Sequence, residues 1–153
     1  MKTTVRIFIF ALLSTAFAAG VLRADNPAQD KAFIEKYKAA FESGDKAALE
    51  AFLYTVGANP QALQFYKTMQ ANGLGGQITD IVLLPLTPED VARVEKGGTG
   101  PGGQRYKLPL KPVKKLKLAW VKRTADGATT STTELMVAEK DGKLVIPAPV
   151  VVK

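Results

Sequence analysis

The chain has 153 residues, 21 Lys and Arg against 14 Asp and Glu, and neither histidine nor cysteine. That length suits one ordinary domain with one core. The missing residue types exclude Ser–His and Cys–His nucleophilic catalysis, His/Cys zinc sites and an N-terminal lipid-modified cysteine. With no disulfide available, a stable fold has to rest on apolar burial.

Lys2 and Arg6 open the chain, an apolar stretch runs from Ile7 to Leu13 and more weakly to Leu22, and small residues follow at Ala16, Ala18 and Ala24. Charge, apolar run and small residues in that order predict a secretory signal over residues 1–24, cleaved after Ala18 or Ala24. The apolar run is shorter than the roughly 20 residues that span a bilayer, so an uncleaved signal is the sole membrane attachment expected. The working protein is then an exported domain, periplasmic or secreted, covering residues 25–153. Losing Lys2, Arg6 and Arg23 nearly halves the formal charge of +7.

Asn26-Pro27 predicts a helix start, with Asn as cap and Pro at the first helical position. Phe33, Tyr37 and Phe41 then recur every four residues, and Gly44 marks the end. Asp45 caps a second expected helix, whose Leu49, Phe52, Leu53 and Val56 share a face before Gly57. Asn59-Pro60 repeats the opening device for a third, with Leu63, Tyr66 and Met69, ending near Asn72-Gly73.

The second half changes character. Gln77 to Leu84 reads as a strand stopped by Pro85, and Thr87-Pro88-Glu89-Asp90 as the start of a short helix reaching Lys96. Gly97 to Gly103 has five glycines in seven residues and is expected to be a flexible loop. Arg105 to Leu110 is a candidate strand interrupted by Pro109. From Lys114 to Arg123, Leu116, Leu118 and Trp120 alternate with Lys115, Lys117 and Arg123, the pattern of a half-buried antiparallel strand. Asp126-Gly127 is a turn, Thr129 to Lys140 a returning strand, and Asp141-Gly142 a hairpin into Lys143–Ile146. Residues 146–153 form an extended tail, an edge strand or a loose end.

Helices first and an antiparallel meander afterwards predict an α+β fold. The run from Phe33 through Gly44-Asp45 to Leu49, with the closing hairpin Glu139-Lys140-Asp141-Gly142-Lys143-Leu144, resembles the NTF2-like (cystatin-type, SnoaL-like) superfamily. The resemblance implies N-terminal helices packed on a curved antiparallel sheet that encloses a conical pocket. Its members include isomerases, hydrolases, dehydratases and domains with no catalytic role, and the enzymes often place a His, Asp or Tyr in the pocket. This chain has no histidine to offer, and fold analogy alone assigns no activity.

Candidate chemistry is sparse. Gly98-Thr99-Gly100-Pro101-Gly102-Gly103 matches G-x-G-x-x-G, but the strand before and helix after that a dinucleotide site needs are missing. An inward Asp80 with Tyr37 as partner would supply a base and an oxyanion donor; the favoured reading is a solvated carboxylate and a packing tyrosine. No calcium loop occurs, and neither a metal nor a cofactor is expected.

Charge is the most distinctive feature. Residues 25–95 carry 6 basic and 10 acidic side chains, residues 96–153 carry 12 and 4. Arg105, Lys107, Lys115, Lys117, Lys122 and Arg123 are the candidate anion-binding residues. The partners they would suit are an anionic surface, an acidic polymer or an acidic protein face. Nucleic acid is disfavoured for an exported chain, and oligomer formation stays open. The competing reading is a solvated sheet face guarded by lysine. The expectation is therefore a binding or structural module rather than an enzyme. The alternative is a pocket protein or histidine-free isomerase or hydrolase, with a cavity against the first-helix aromatics and a buried carboxylate in it.

Overall fold

The computed structural model describes residues 26–100 and 103–152. The expected signal segment, Pro101-Gly102 of the glycine run and Lys153 lie outside the described residues. Helix α1 (Pro27–Ser43) starts where the Asn26 side chain accepts the Gln29 N–H at 3.2 Å, and ends at Gly44 with φ +77°. That left-handed turn lets the Gly44 N–H reach the Ala40 and Phe41 carbonyls, which a residue with a Cβ does only under strain. Its buried face is Phe33, Tyr37, Ala40 and Phe41.

Helix α2 (Lys46–Glu50) is capped by Asp45 as expected but stops far short of Val56. Leu53–Tyr54 instead forms a strand, β1. The reason is non-local: the Phe52 and Tyr54 carbonyls accept the N–H groups of Ile146 and Ala148 at 2.8 and 3.0 Å. Leu53 is buried either way, but only the strand satisfies those backbone groups, so tertiary pairing overrides the helical period. Val56 is left exposed.

Helix α3 (Pro60–Ala71), strand β2 (Gln77–Pro85) and helix α4 (Pro88–Lys96) follow the expected boundaries, and Thr87 and Asp90 close a capping box on α4. The glycine run is not only a loop. Gly98–Thr99 forms β3 and pairs with β4 (Arg105–Lys107), which ends before Leu108 and Pro109. A Cβ on Gly100 would lie 2.1 Å from the Tyr106 ring, so glycine is what lets that ring pack on the backbone.

Strands β5 (Pro112–Thr124), β6 (Gly127–Lys140) and β7 (Lys143–Pro147) form the meander, and β8 (Val150–Val152) is the tail. Asp141 and Gly142 both take positive φ, 51° and 73°, as the tight hairpin between β6 and β7 requires. The fold is α+β, with a five-stranded sheet ordered β1-β7-β6-β5-β2 and a three-stranded sheet ordered β3-β4-β8. The larger sheet is mixed rather than wholly antiparallel, because β1 runs parallel to β7. The tail is an edge strand within its own chain, bonded to β4.

Register assigns the two faces. Ile78, Ile81 and Leu83 of β2 stand opposite Trp120, Leu118 and Leu116 of β5, and Leu116 stands opposite Leu135 of β6. This inner face carries α1. Phe33, Tyr37 and Phe52 stack with ring centroids 5.2–6.2 Å apart, and Phe41 meets Trp120 at 6.3 Å. Gly73 closes the cluster, for a Cβ there would lie 2.4 Å from the Trp120 ring. The outer face carries Lys115, Lys117, Ala119, Val121 and Arg123 of β5, flanked by Asp80, Val82 and Leu84 on β2.

Candidate functional site

Strand β5 carries two rows of cations, and the structure spends them differently. On the inner face lysines sit at both ends of the apolar row. Lys114 pairs with Asp30 of α1, and Lys122 donates to the Leu74 carbonyl at 2.7 Å. On the outer face Lys115 lies between Asp90 and Glu134, at 3.0 and 3.4 Å. Three consecutive functions thus fall to lysines of one strand: anchoring α1, anchoring the loop after α3, and anchoring α4.

Asp90 is the hub of the third anchor. Its side chain is 4% exposed, and it accepts from Lys115, from the Thr87 N–H and from Arg93. The Lys115 ammonium, then the Thr87 backbone, hold its carboxyl down to about 2, despite the opposing cost of desolvation. Lys115 is correspondingly raised, chiefly by Asp90. Sequence reasoning saw Asp90 only as a first-turn acid of α4. The ion pair with a lysine 25 positions later has no local signal.

The other candidates remain available. Arg105 and Lys107 are exposed on β4, Arg123 is exposed near the tip of the β5–β6 hairpin, and Lys117 is half-buried on the outer face. None of these four pairs with an acid among the described residues, although Glu134 stands opposite Lys117 in register. Lys117 and Arg123 share the outer face with Lys115, while Lys122 points to the inner one and Arg105 and Lys107 belong to the smaller sheet. The six candidates therefore form no single patch.

Asp80 and Tyr37 are not brought together. Asp80 stands opposite Ala119 and so faces outward, exposed, beyond a register shift between Ile78 and Asp80. Tyr37 is buried in the α1 cluster on the inner side, so the sheet lies between them. Burial pushes the Tyr37 hydroxyl up, and the neighbouring Gln70 carboxamide draws it part of the way back. Gln70 is 2% exposed, and its amide, like the Trp120 indole N–H, has no hydrogen bond of good geometry. Tyr66 on α3 is also raised by burial. Tyr54, expected on a helix, belongs to β1.

Among the described residues, the buried polar side chains are Gln70 and Asp90, and only Asp90 is a carboxylate. It lies under α4, not against the α1 aromatics, whose faces are filled by Phe52 and Trp120. Open space lies elsewhere. A groove of about 590 Å³ between α1 and α2 is lined by Ala39, Ala40, Ala48, Ala51 and Phe52 with Lys36 at its rim. A cleft of about 280 Å³ beside α4 is lined by Tyr66, Arg93, Tyr106, Lys107 and Met136. The described residues hold no cluster of three or more potential metal ligands, and no helix long and apolar enough to cross a membrane.

The class that fold and site define is an α+β domain with helices on a mixed sheet, with Lys115, Lys117 and Arg123 on the outer face of that sheet. Compared with known proteins, the chain matches no family model, no curated protein and no solved structure.

Proposed function

We propose that this chain is an exported, non-catalytic NTF2-like module that binds a polyanionic partner. Four cations carry the reading. Arg105, Lys107, Lys117 and Arg123 have no acid partner among the described residues, while Lys114, Lys115 and Lys122 are consumed by the fold. A lysine guard would need only to be charged; here the strand separates cations that fasten helices from cations that face solvent. Support for the NTF2-like scaffold comes from α1 laid along one face of the sheet, and from the order α1, α2, α3, β2 and closing β6–β7 hairpin, which the resemblance implies. Support for a non-catalytic role comes from the missing histidine and cysteine, and from the engagement of the one buried carboxylate among the described residues by Lys115 and Arg93.

Two charge-reversal pairs test the binding surface, Lys117→Glu with Arg123→Glu and Arg105→Glu with Lys107→Glu. Each is expected to abolish sedimentation with anionic liposomes or retention on an acidic polysaccharide at low salt, as screening by salt does for the unaltered chain. Unaltered retention in both pairs, or no retention of the unaltered chain, overturns the reading. Lys115→Glu is the wrong probe, since it breaks the anchor of α4. N-terminal sequencing of the secreted product tests export, with Ala19 or Asp25 expected as first residue.

A further inference from the structure

Strand β6 has one bonded edge and one open edge. It pairs with β5 from Gly127 to Ala138, whereas β7 joins its other side only at Ala138, Glu139 and Lys140. Residues 127–136 thus present a strand edge to which no other described element bonds. Two hairpins fix which backbone groups point into it. Thr124 with Gly127, and Lys140 with Lys143, each flank a two-residue turn and so form hydrogen-bonded pairs, from which the bonding alternates. Counting from either end gives the same result. Gly127, Thr129, Ser131 and Thr133 bond to β5, while Ala128, Thr130, Thr132 and Glu134 aim their N–H and C=O groups outward.

The β2 edge of the sheet is guarded and this one is not. On β2 the Glu42 carboxylate takes the Ile78 N–H at 2.9 Å, the register shifts beyond Ile78, and Pro85 ends the strand. From Ala128 to Thr133 the β6 edge has no charge, no proline and no register shift. Natural sheets rarely leave such a run without a partner.

The sequence of the edge names its occupant. Thr129-Thr130-Ser131-Thr132-Thr133 reads the same in both directions. We infer that a second copy of this chain adds its β6 antiparallel to the first, about a two-fold axis through Ser131. In that register the outward groups meet each other: Thr130 of one copy bonds Thr132 of the other, and Ala128 bonds Glu134, each pair exchanging two hydrogen bonds. No like charges face each other. Glu134 lies beside Ala128 of the second copy, and the next strand's residue in that row is Arg123, the cross-strand partner of Ala128. Alanine leaves the way clear for carboxylate and guanidinium to approach over it on the outer face. Arg123 belongs to both proposals, but the tests of self-pairing read assembly alone and alter no cation.

The absence of native cysteine makes single cysteines clean probes. Ser131 is a non-hydrogen-bonded pair with its own copy, with Cα atoms about 4.5 Å apart, within disulfide reach. Ser131→Cys is expected to cross-link into a dimer under mild oxidation. Thr129→Cys and Thr133→Cys are each expected to stay uncross-linked alone and to cross-link when mixed. A Ser131→Cys chain that stays monomeric, or Thr129→Cys and Thr133→Cys chains that cross-link equally well alone, overturns the register. Thr132→Pro removes one outward N–H and leaves the β5 ladder intact. By sedimentation velocity it should raise the dimer dissociation constant at least about tenfold with an unchanged circular dichroism spectrum. An unaltered chain that is monomeric throughout, or a dimer indifferent to Thr132→Pro, overturns self-pairing.

Discussion

The two ends of the β5–β6 ribbon are built from the same two strands yet live in different surroundings. At one end, Leu116 and Leu118 with Leu135 and Val137 are buried, α1 lies on the inner face and the Asp90–Lys115–Glu134 cluster on the outer. At the other, residues 122–130 are exposed throughout. Trp120 marks the border, its ring enclosed by Phe41 and Gly73. The difference teaches that strand pairing alone does not make a core. Where α1 and the Asp90 cluster cover its two faces the ribbon is a structural beam, and beyond Trp120 the same ladder runs on exposed to solvent.

The sharpest way to break that contrast is a pair of truncations. Leu116→Ala should cost about 2–5 kcal/mol, because it empties a fully buried site, while Thr130→Ala at the exposed end should stay within about 0.5 kcal/mol. Urea unfolding of both would decide it, and equal losses would erase the distinction. Gly73→Ala tests the border. Its Cβ would meet the Trp120 ring, and its φ of +82° suits glycine, so a loss of roughly 1–3 kcal/mol is expected.

Acid probes the outer anchor. Asp90 is held down to about 2 when folded, below its ordinary value near 3.8. Its stabilisation is therefore whole above about pH 4 and lost as the pH falls towards 2. Asp90→Asn should lower the melting temperature at pH 7 and flatten its decline between pH 4 and pH 2. A variant whose acid limb runs parallel to that of the unaltered chain would remove Asp90 from the ledger of acid stability. Lys115, raised by the same partner, keeps its contribution below about 10.5 and loses it as the pH climbs through its higher folded value.

Local signals were enough for much of this. The caps Asn26, Asp45, Asn59 and Thr87 start helices where expected, and alternation along β5 separates the two faces correctly. What escaped was decided by partners remote in sequence. Leu53–Tyr54 follows a helical period, and becomes a strand because Ile146 and Ala148 donate to its neighbours. Gly98–Thr99 is a strand because Arg105–Tyr106 pairs with it, and only beyond it does Gly100 lie against the Tyr106 ring. The cation run was legible as charge but not as division of labour. Which lysines are spent depends on Asp30, Leu74 and Asp90, none of them adjacent to β5 in sequence.

The short β1 strand also dictates timing. Its partner is Ile146–Pro147, nearly the whole domain later, and the Asn59 N–H waits for the Pro149 carbonyl. A ribosome therefore releases the helical half long before the strand that clasps it exists. Closing so distant a contact is slow, so the β1–β7 pairing is expected to form late in folding. Cutting the chain before Ile146 would remove the groups that pair with Phe52, Leu53 and Tyr54, so the segment Ile146–Ala148 acts as the latch of β1.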